Sequence, residues 1–201
     1  NGIGISAVVL NYRVAPYSHP TPLSDAKRAI RTLKHKATEW NIDANRIGIL
    51  GFSAGGHLAA SAGIHFDAGN PDASDEIERE SSRPDLMVLS YPVITMGTFT
   101  HQGSKHALLG DFPDSSLVEY MSLEKHVTRK TPPAFLWHTA EDDAVPVENS
   151  LQLATSFSEN KVPHELHVFE RGHHGLGLAQ DRQDVKVWTT LCEMWLRNRG
   201  F

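Results

Sequence analysis

Arg46-Ile47-Gly48-Ile49-Leu50-Gly51-Phe52-Ser53-Ala54-Gly55-Gly56-His57-Leu58-Ala59-Ala60 is the stretch that decides how the rest of the chain is read. A short apolar run ends in G-x-S-x-G at Gly51 to Gly55 and small helix-compatible residues follow at once, so the spelling predicts strand, sharp turn and helix. A turn tight enough to push a serine hydroxyl out at the strand's end crowds the residues two before and two after it. Gly51 and Gly55 are expected to avoid that collision by lacking a Cβ. The helix then aims its unpaired N–H groups at Ser53, which makes the Ala54 N–H the expected donor to an oxyanion formed there.

Working outward, three further apolar runs read as strands buried in a parallel sheet: Gly4 to Leu10, Leu86 to Tyr91 and Ala134 to His138. Glu165 to Phe169 reads as another. Between them, Thr21 as N-cap with Pro22 behind it opens an amphipathic helix reaching Trp40, with Ala26, Ile30, Leu33 and Ala37 at steps of three and four. Helices are also expected over Val147 to Glu159 and Gln183 to Arg199. Strands alternating with helices predict an α/β fold with a mainly parallel sheet flanked by helices, in a single domain over 1–201. Residues 66–84 are polar and read as a surface excursion, with Asp75-Glu76 a solvated charge run. Residues 95–131 have weak periodicity and follow a strand's carboxyl end, where an insertion can line a substrate pocket.

Composition narrows the function classes. With 201 residues, 40% hydrophobic and 21% charged, the chain is long and apolar enough for one full core. A net charge of −5 with scattered Lys and Arg argues against nucleic acid as a partner. No apolar run approaches the ~20 residues of a membrane span. The single Cys192 excludes an internal disulfide framework and reads as buried filler. Twelve histidines lack metal-ligand spacing, so neither metal nor cofactor is expected. The chain opens at Asn1-Gly2 with no Met and no signal-like segment, so the start carries no information on compartment.

A serine is a weak nucleophile until a base takes its proton and a carboxylate orients that base. Ser53, the Asp142/Asp143 pair and the His173/His174 pair each follow a strand, and parallel strands open their carboxyl ends on one edge. Three loops therefore bring the three roles together, in the chain order Ser, Asp, His of α/β-hydrolases. His57, one turn beyond Ser53, is expected to be structural or to line a pocket. His138 is expected to pack at its strand's end, and His101 and His106 to lie exposed.

These segments, with Leu10 to Pro16, Tyr91-Pro92-Val93, Leu108-Leu109-Gly110 and Thr131-Pro132-Pro133, resemble the α/β-hydrolase superfamily, and within it acetyl xylan esterases and BD-FAE-like carboxylesterases. The resemblance implies Ser53 as nucleophile, Asp142 as acid because two residues separate it from Val145-Pro146, and His174 as base because it directly precedes glycine. It also implies two or three strands and a His-Gly-Gly-Gly loop, with a second oxyanion donor, ahead of this region. One of those strands would lie between the strand of Ile5 to Leu10 and that of Ile47 to Leu50. None lies in these 201 residues, so a longer natural enzyme is expected, the competing expectation being a short, weak protein. Loss of one oxyanion donor costs ~10²–10³ in turnover.

The implied activity is a serine carboxylic ester hydrolase that removes acetyl groups from small-molecule or carbohydrate esters. The competing readings are a prolyl oligopeptidase-type peptidase, which shares the triad, and a truncated hydrolase domain acting as a binding module.

Overall fold

A computed structural model describes residues 2–201. In chain order the elements are α1 (Thr21–His35), β1 (Gly48–Phe52), α2 (Ser53–Ile64), β2 (Leu86–Ser90), α3 (Gln102–Leu109), α4 (Ser115–Tyr120), β3 (Ala134–Thr139), α5 (Glu148–Glu159), β4 (His164–Phe169), α6 (Gln183–Lys186) and α7 (Trp188–Arg197). The four strands form one sheet in the order β1-β2-β3-β4, every pair parallel.

Period-two alternation sorts the central strands onto two cores. Met87 and Leu89 of β2 with Ala134 and Leu136 of β3 face α2 and α5, where Ala60, Ile64, Leu153 and Phe157 complete the packing. Leu86, Val88, Phe135 and Trp137 point the other way, onto Trp188, Cys192 and Trp195 of α7. Cys192 is thus buried filler, and burial pushes its thiol up to about 12. The small residues of α2 let it fit between sheet and α1, which lays Leu23, Ala26 and Ile30 on Leu58 and Ala62. Each central strand is covered on both faces, as its unbroken apolar spelling requires.

Four expectations need correction. The run Gly4 to Leu10 forms no strand, and Val8 and Val9 are 71% and 86% exposed. A strand is held by ladder bonds to a neighbour, and this run pairs with none of the described residues. Helix α1 begins at Thr21 after Pro20, with no side-chain cap, and ends at His35 rather than Trp40. The Lys36 N–H bonds to Thr32 and Lys34 carbonyls, the chain passes through Asn41 at φ +52°, and Trp40 is left exposed. The closing helix is divided at Val187 into α6 and α7. The 66–84 excursion is tied down rather than simply solvated. Arg28 pairs with Asp75 at 2.6 Å and Glu78 at 2.7 Å, and Arg31 with Asp67 and Glu78. The half-exposed Arg28 pairs contribute register more than free energy, whereas Arg31 is buried and its pairs satisfy a charge already removed from water.

Candidate active site

Ser53 stands where β1 passes into α2, at φ +53°. That left-handed conformation is strained for a residue with a Cβ and costs on the order of 1 kcal/mol. The surroundings hold it there: the Ser53 carbonyl accepts the Val93 N–H at 3.1 Å, and Gly56 rests on Pro92. The glycine pattern differs from the expected one. A Cβ on Gly51 would lie 2.0 Å from the Gly55 carbonyl oxygen, whereas one on Gly55 would meet nothing nearer than Tyr12 Oη at 3.9 Å. The pressed residue after the serine is Gly56, whose Cβ would lie 2.7 Å from Pro92 Cβ.

The three sequence-derived residues meet. Ser53 Oγ lies 2.7 Å from His174 Nε2, and His174 Nδ1 lies 2.7 Å from Asp142 Oδ2. With Nδ1–H donating to the carboxylate, Nε2 is left as acceptor for the serine hydroxyl. Asp142 Oδ1 accepts the N–H groups of Ala144 at 3.0 Å and Val145 at 2.8 Å. Burial would raise the Asp142 carboxyl, yet His138, His174 and the Val145 N–H hold it at about 2. It is therefore an anion wherever an ordinary imidazole titrates. Asp143 and His173 are both exposed, and His173 Nδ1 turns back to the His174 carbonyl at 2.6 Å.

Two further residues hold the loop of His174 in place. Thr139 Oγ1 donates to the Gly172 carbonyl at 2.7 Å. Tyr91 Oη accepts the Gly177 N–H at 2.9 Å, and its ring meets the His174 ring edge-on, centroids 5.0 Å apart. In the sequence Tyr91 stands at the end of a strand and in the Tyr91-Pro92-Val93 segment of the resemblance, neither of which points to its contact with His174.

A mainly apolar cavity of about 240 Å³ opens beside Ala54, walled by Tyr12, Leu23, Leu58, Met96, Leu108 and Met121. None of its wall comes from the His174 loop. His57 lines it, as expected; His101, expected to lie exposed, lines it too, half-buried and capping α3 through the Ser104 N–H. His106 is exposed beside Asp111 at 2.7 Å. Three histidines meet the last carbonyls of α4 in succession: His126 Nε2 at Glu119 O, His65 Nε2 at Tyr120 O and His57 Nε2 at Met121 O, at 2.9, 2.9 and 3.0 Å. The Glu119 carbonyl also accepts the Ser122 N–H, whereas the carbonyls of Tyr120 and Met121, past the last turn, depend on such donors.

Burial lowers the buried His57 imidazole from 6.5 to about 4. The unfolded chain therefore takes up this proton first as pH falls. The associated stability is complete above about 6.5 and is lost progressively down to about 4, a total of about 3 kcal/mol. Urea unfolding is expected to show a loss of about 2 kcal/mol from this group between pH 7 and 5. His57→Gln should remove this part of the slope and leave the part contributed by His65, whose imidazole burial also lowers to about 4; an unchanged slope would refute the assignment.

No group of three or more His, Cys, Asp and Glu side chains is gathered to hold a metal among the described residues. The BD-FAE family model matches residues 3–157. The chain belongs to the BD-FAE family. It is 44% identical over 185 residues to endo-1,4-beta-xylanase B of Butyrivibrio fibrisolvens, spanning 89% of this chain and 28% of that protein. It is 31% identical over 200 residues to the acetylxylan esterase of Xylanibacter ruminicola, spanning 94% and 39%. The chain thus covers well under half the length of either relative. Among solved structures it matches the acetyl ester-xyloside bifunctional hydrolase of Caldicellulosiruptor lactoaceticus with a TM-score of 0.99 and 58% identity, over 100% of this chain and 74% of that one. The architecture of this BD-FAE chain, a parallel sheet between helices with the serine elbow at β1, is the α/β-hydrolase fold.

Proposed function

We propose that the chain hydrolyses carboxylic esters through an acyl-enzyme on Ser53, with acetyl groups on carbohydrate as the substrate class. The observation that carries the reading is the unbroken relay from Ser53 Oγ through His174 to Asp142, both contacts at 2.7 Å. The names of the relatives, an acetylxylan esterase and an acetyl ester-xyloside hydrolase, support the choice of substrate.

Ser53 attacks the ester carbonyl while His174 Nε2 takes its proton, and the Asp142 anion stabilises the imidazolium that results. The Ala54 N–H, in the first turn of α2, donates to the oxyanion. His174 then protonates the leaving alkoxide, so the alcohol lies on the His174 side and the acyl group on the Ala54 side, toward the apolar cavity. Water repeats the sequence on the acyl-enzyme. Residues 95–131, which contribute Met96, His101, the α3 residues Ser104 and Leu108, and Met121 to that cavity, act as the cap.

A fluorophosphonate probe is expected to label one site, mapped by peptide mass to Ser53, and to leave Ser53→Ala unmodified. Hydrolysis of p-nitrophenyl acetate and acetylated xylan should fall with the same substitution, and amide analogues should not turn over. A folded protein that the probe ignores would end the proposal in favour of a binding module.

A further inference from the structure

Behind the carboxylate of Asp142 lies a second histidine that the proposed reaction does not use. His138, the fifth residue of β3, is fully buried, as is Ser150 in the first turn of α5. Ser150 Oγ lies 2.8 Å from His138 Nδ1. His138 Nε2 lies 3.0 Å from the Val145 carbonyl and 3.3 Å from Asp142 Oδ2, the oxygen that also accepts His174 Nδ1–H.

The protons can be placed from these partners. Val145 offers a carbonyl, which only accepts, so Nε2 carries the hydrogen and Nδ1 accepts from the Ser150 hydroxyl. The positive end of that Nε2–H faces Oδ2. His138 also closes the acid turn from behind, because Val145 gives its N–H to Asp142 Oδ1 and its carbonyl to His138. Buried polar side chains are costly unless satisfied, and here each of the two is satisfied only through the other and through the acid turn.

We infer that His138 and Ser150 are positioning residues for the ester hydrolysis, mirroring the Ser53–His174 pair across Asp142: Ser150 sets the His138 tautomer, and the Nε2–H holds Oδ2 in line with His174. The inference rests on the reading of Asp142 as the catalytic acid. By sharing Oδ2, His138 draws charge from the oxygen that His174 needs and so tempers the basicity of the relay. The titratable groups around that carboxylate are His138 from β3, His174 from the loop after β4 and the Tyr91 hydroxyl after β2.

The test exploits side-chain length. Glutamine can place an N–H where His138 carries Nε2, and asparagine cannot. In the full chain, His138→Asn is expected to lower kcat about tenfold or more with KM little changed, well short of the about 10⁴ lost when the acid is altered. The acid limb of the kcat/KM profile, and the His174 ring titration followed by NMR, should move to higher pH. His138→Gln should restore kcat to within about threefold and return both titrations. Ser150→Ala, the milder change, should show the same upward shift at smaller amplitude and serves if His138→Asn does not fold. A folded His138→Asn or Ser150→Ala with the parent titration overturns the inference, as does His138→Gln damaged equally with His138→Asn. If Ser53→Ala still turns over, the underlying reading fails instead; if Ser53→Ala is inactive while His138→Asn titrates as the parent, only this inference fails.

Discussion

Asp142→Asn is expected to lower kcat by about 10⁴ while the protein stays folded and KM moves little. The asparagine oxygen can keep the Ala144 and Val145 N–H bonds that Oδ1 now accepts. Its NH2 then occupies the place of Oδ2, facing His174 Nδ1 at 2.7 Å and His138 Nε2 at 3.3 Å. Two donors cannot share that contact, so the His174 ring changes tautomer and puts its hydrogen on Nε2. A protonated Nε2 cannot accept the Ser53 proton, and the charge that stabilised the imidazolium is gone as well. Asp143→Asn, on an exposed side chain one residue away, should stay within about twofold, because surface substitutions away from such contacts do little. Steady-state kinetics of the two variants decide between the neighbours. Equal losses, or a loss confined to Asp143, would move the acid and undo the relay.

The contrast between these neighbours shows how far the sequence reaches. Each of Ser53, Asp142 and His174 follows a strand, and a parallel sheet sends those loops to one edge, so their meeting was legible from periodicity and order alone. Choosing Asp142 over Asp143, and His174 over His173, was not, because local spelling is blind to which side chain turns inward; the resemblance supplied both. The run Gly4 to Leu10 is apolar enough for a strand, yet a strand exists only through its neighbours, and composition cannot report whether a neighbour is there. His138 looked like one more buried strand residue. Its meaning comes from Ser150 on α5 and from Asp142 across a turn, partners that no periodicity connects. The Arg28 and Arg31 pairs with the 66–84 excursion and the histidine row on α4 are invisible for the same reason, as their separations run from seven to 64 residues.

The serine elbow separates the two glycines that the motif makes look alike, Gly51 and Gly55, and adds Gly56, which lies just outside the motif. Gly51→Ala is expected to lower the melting temperature by about 10 °C, from a destabilisation of about 3 kcal/mol or more. Its Cβ would sit 2.0 Å from the Gly55 carbonyl oxygen, 2.4 Å from the Gly55 carbonyl carbon and 2.8 Å from the Gly56 nitrogen. All three are backbone atoms of the first turn of α2, so relief requires the helix to leave β1. That motion carries Ser53 with it, and a displacement of about 1 Å at the reacting atom costs about 10² in rate even in molecules that stay folded. Gly56→Ala should destabilise too, because Pro92 Cβ and Cα stand at 2.7 and 2.9 Å and the Pro92 ring has no alternative rotamer to adopt. Gly55→Ala should keep the fold and raise the melting temperature slightly, since its Cβ would meet only Tyr12 Oη, at an ordinary contact distance of 3.9 Å, and alanine in a helix is worth up to about 1 kcal/mol over glycine. Thermal melts of the three variants would refute this ordering if Gly51→Ala proved as stable as Gly55→Ala. The collision at the elbow would then be relieved by a slide of α2 along the sheet, and the φ of +53° at Ser53 would no longer be imposed by the packing around it.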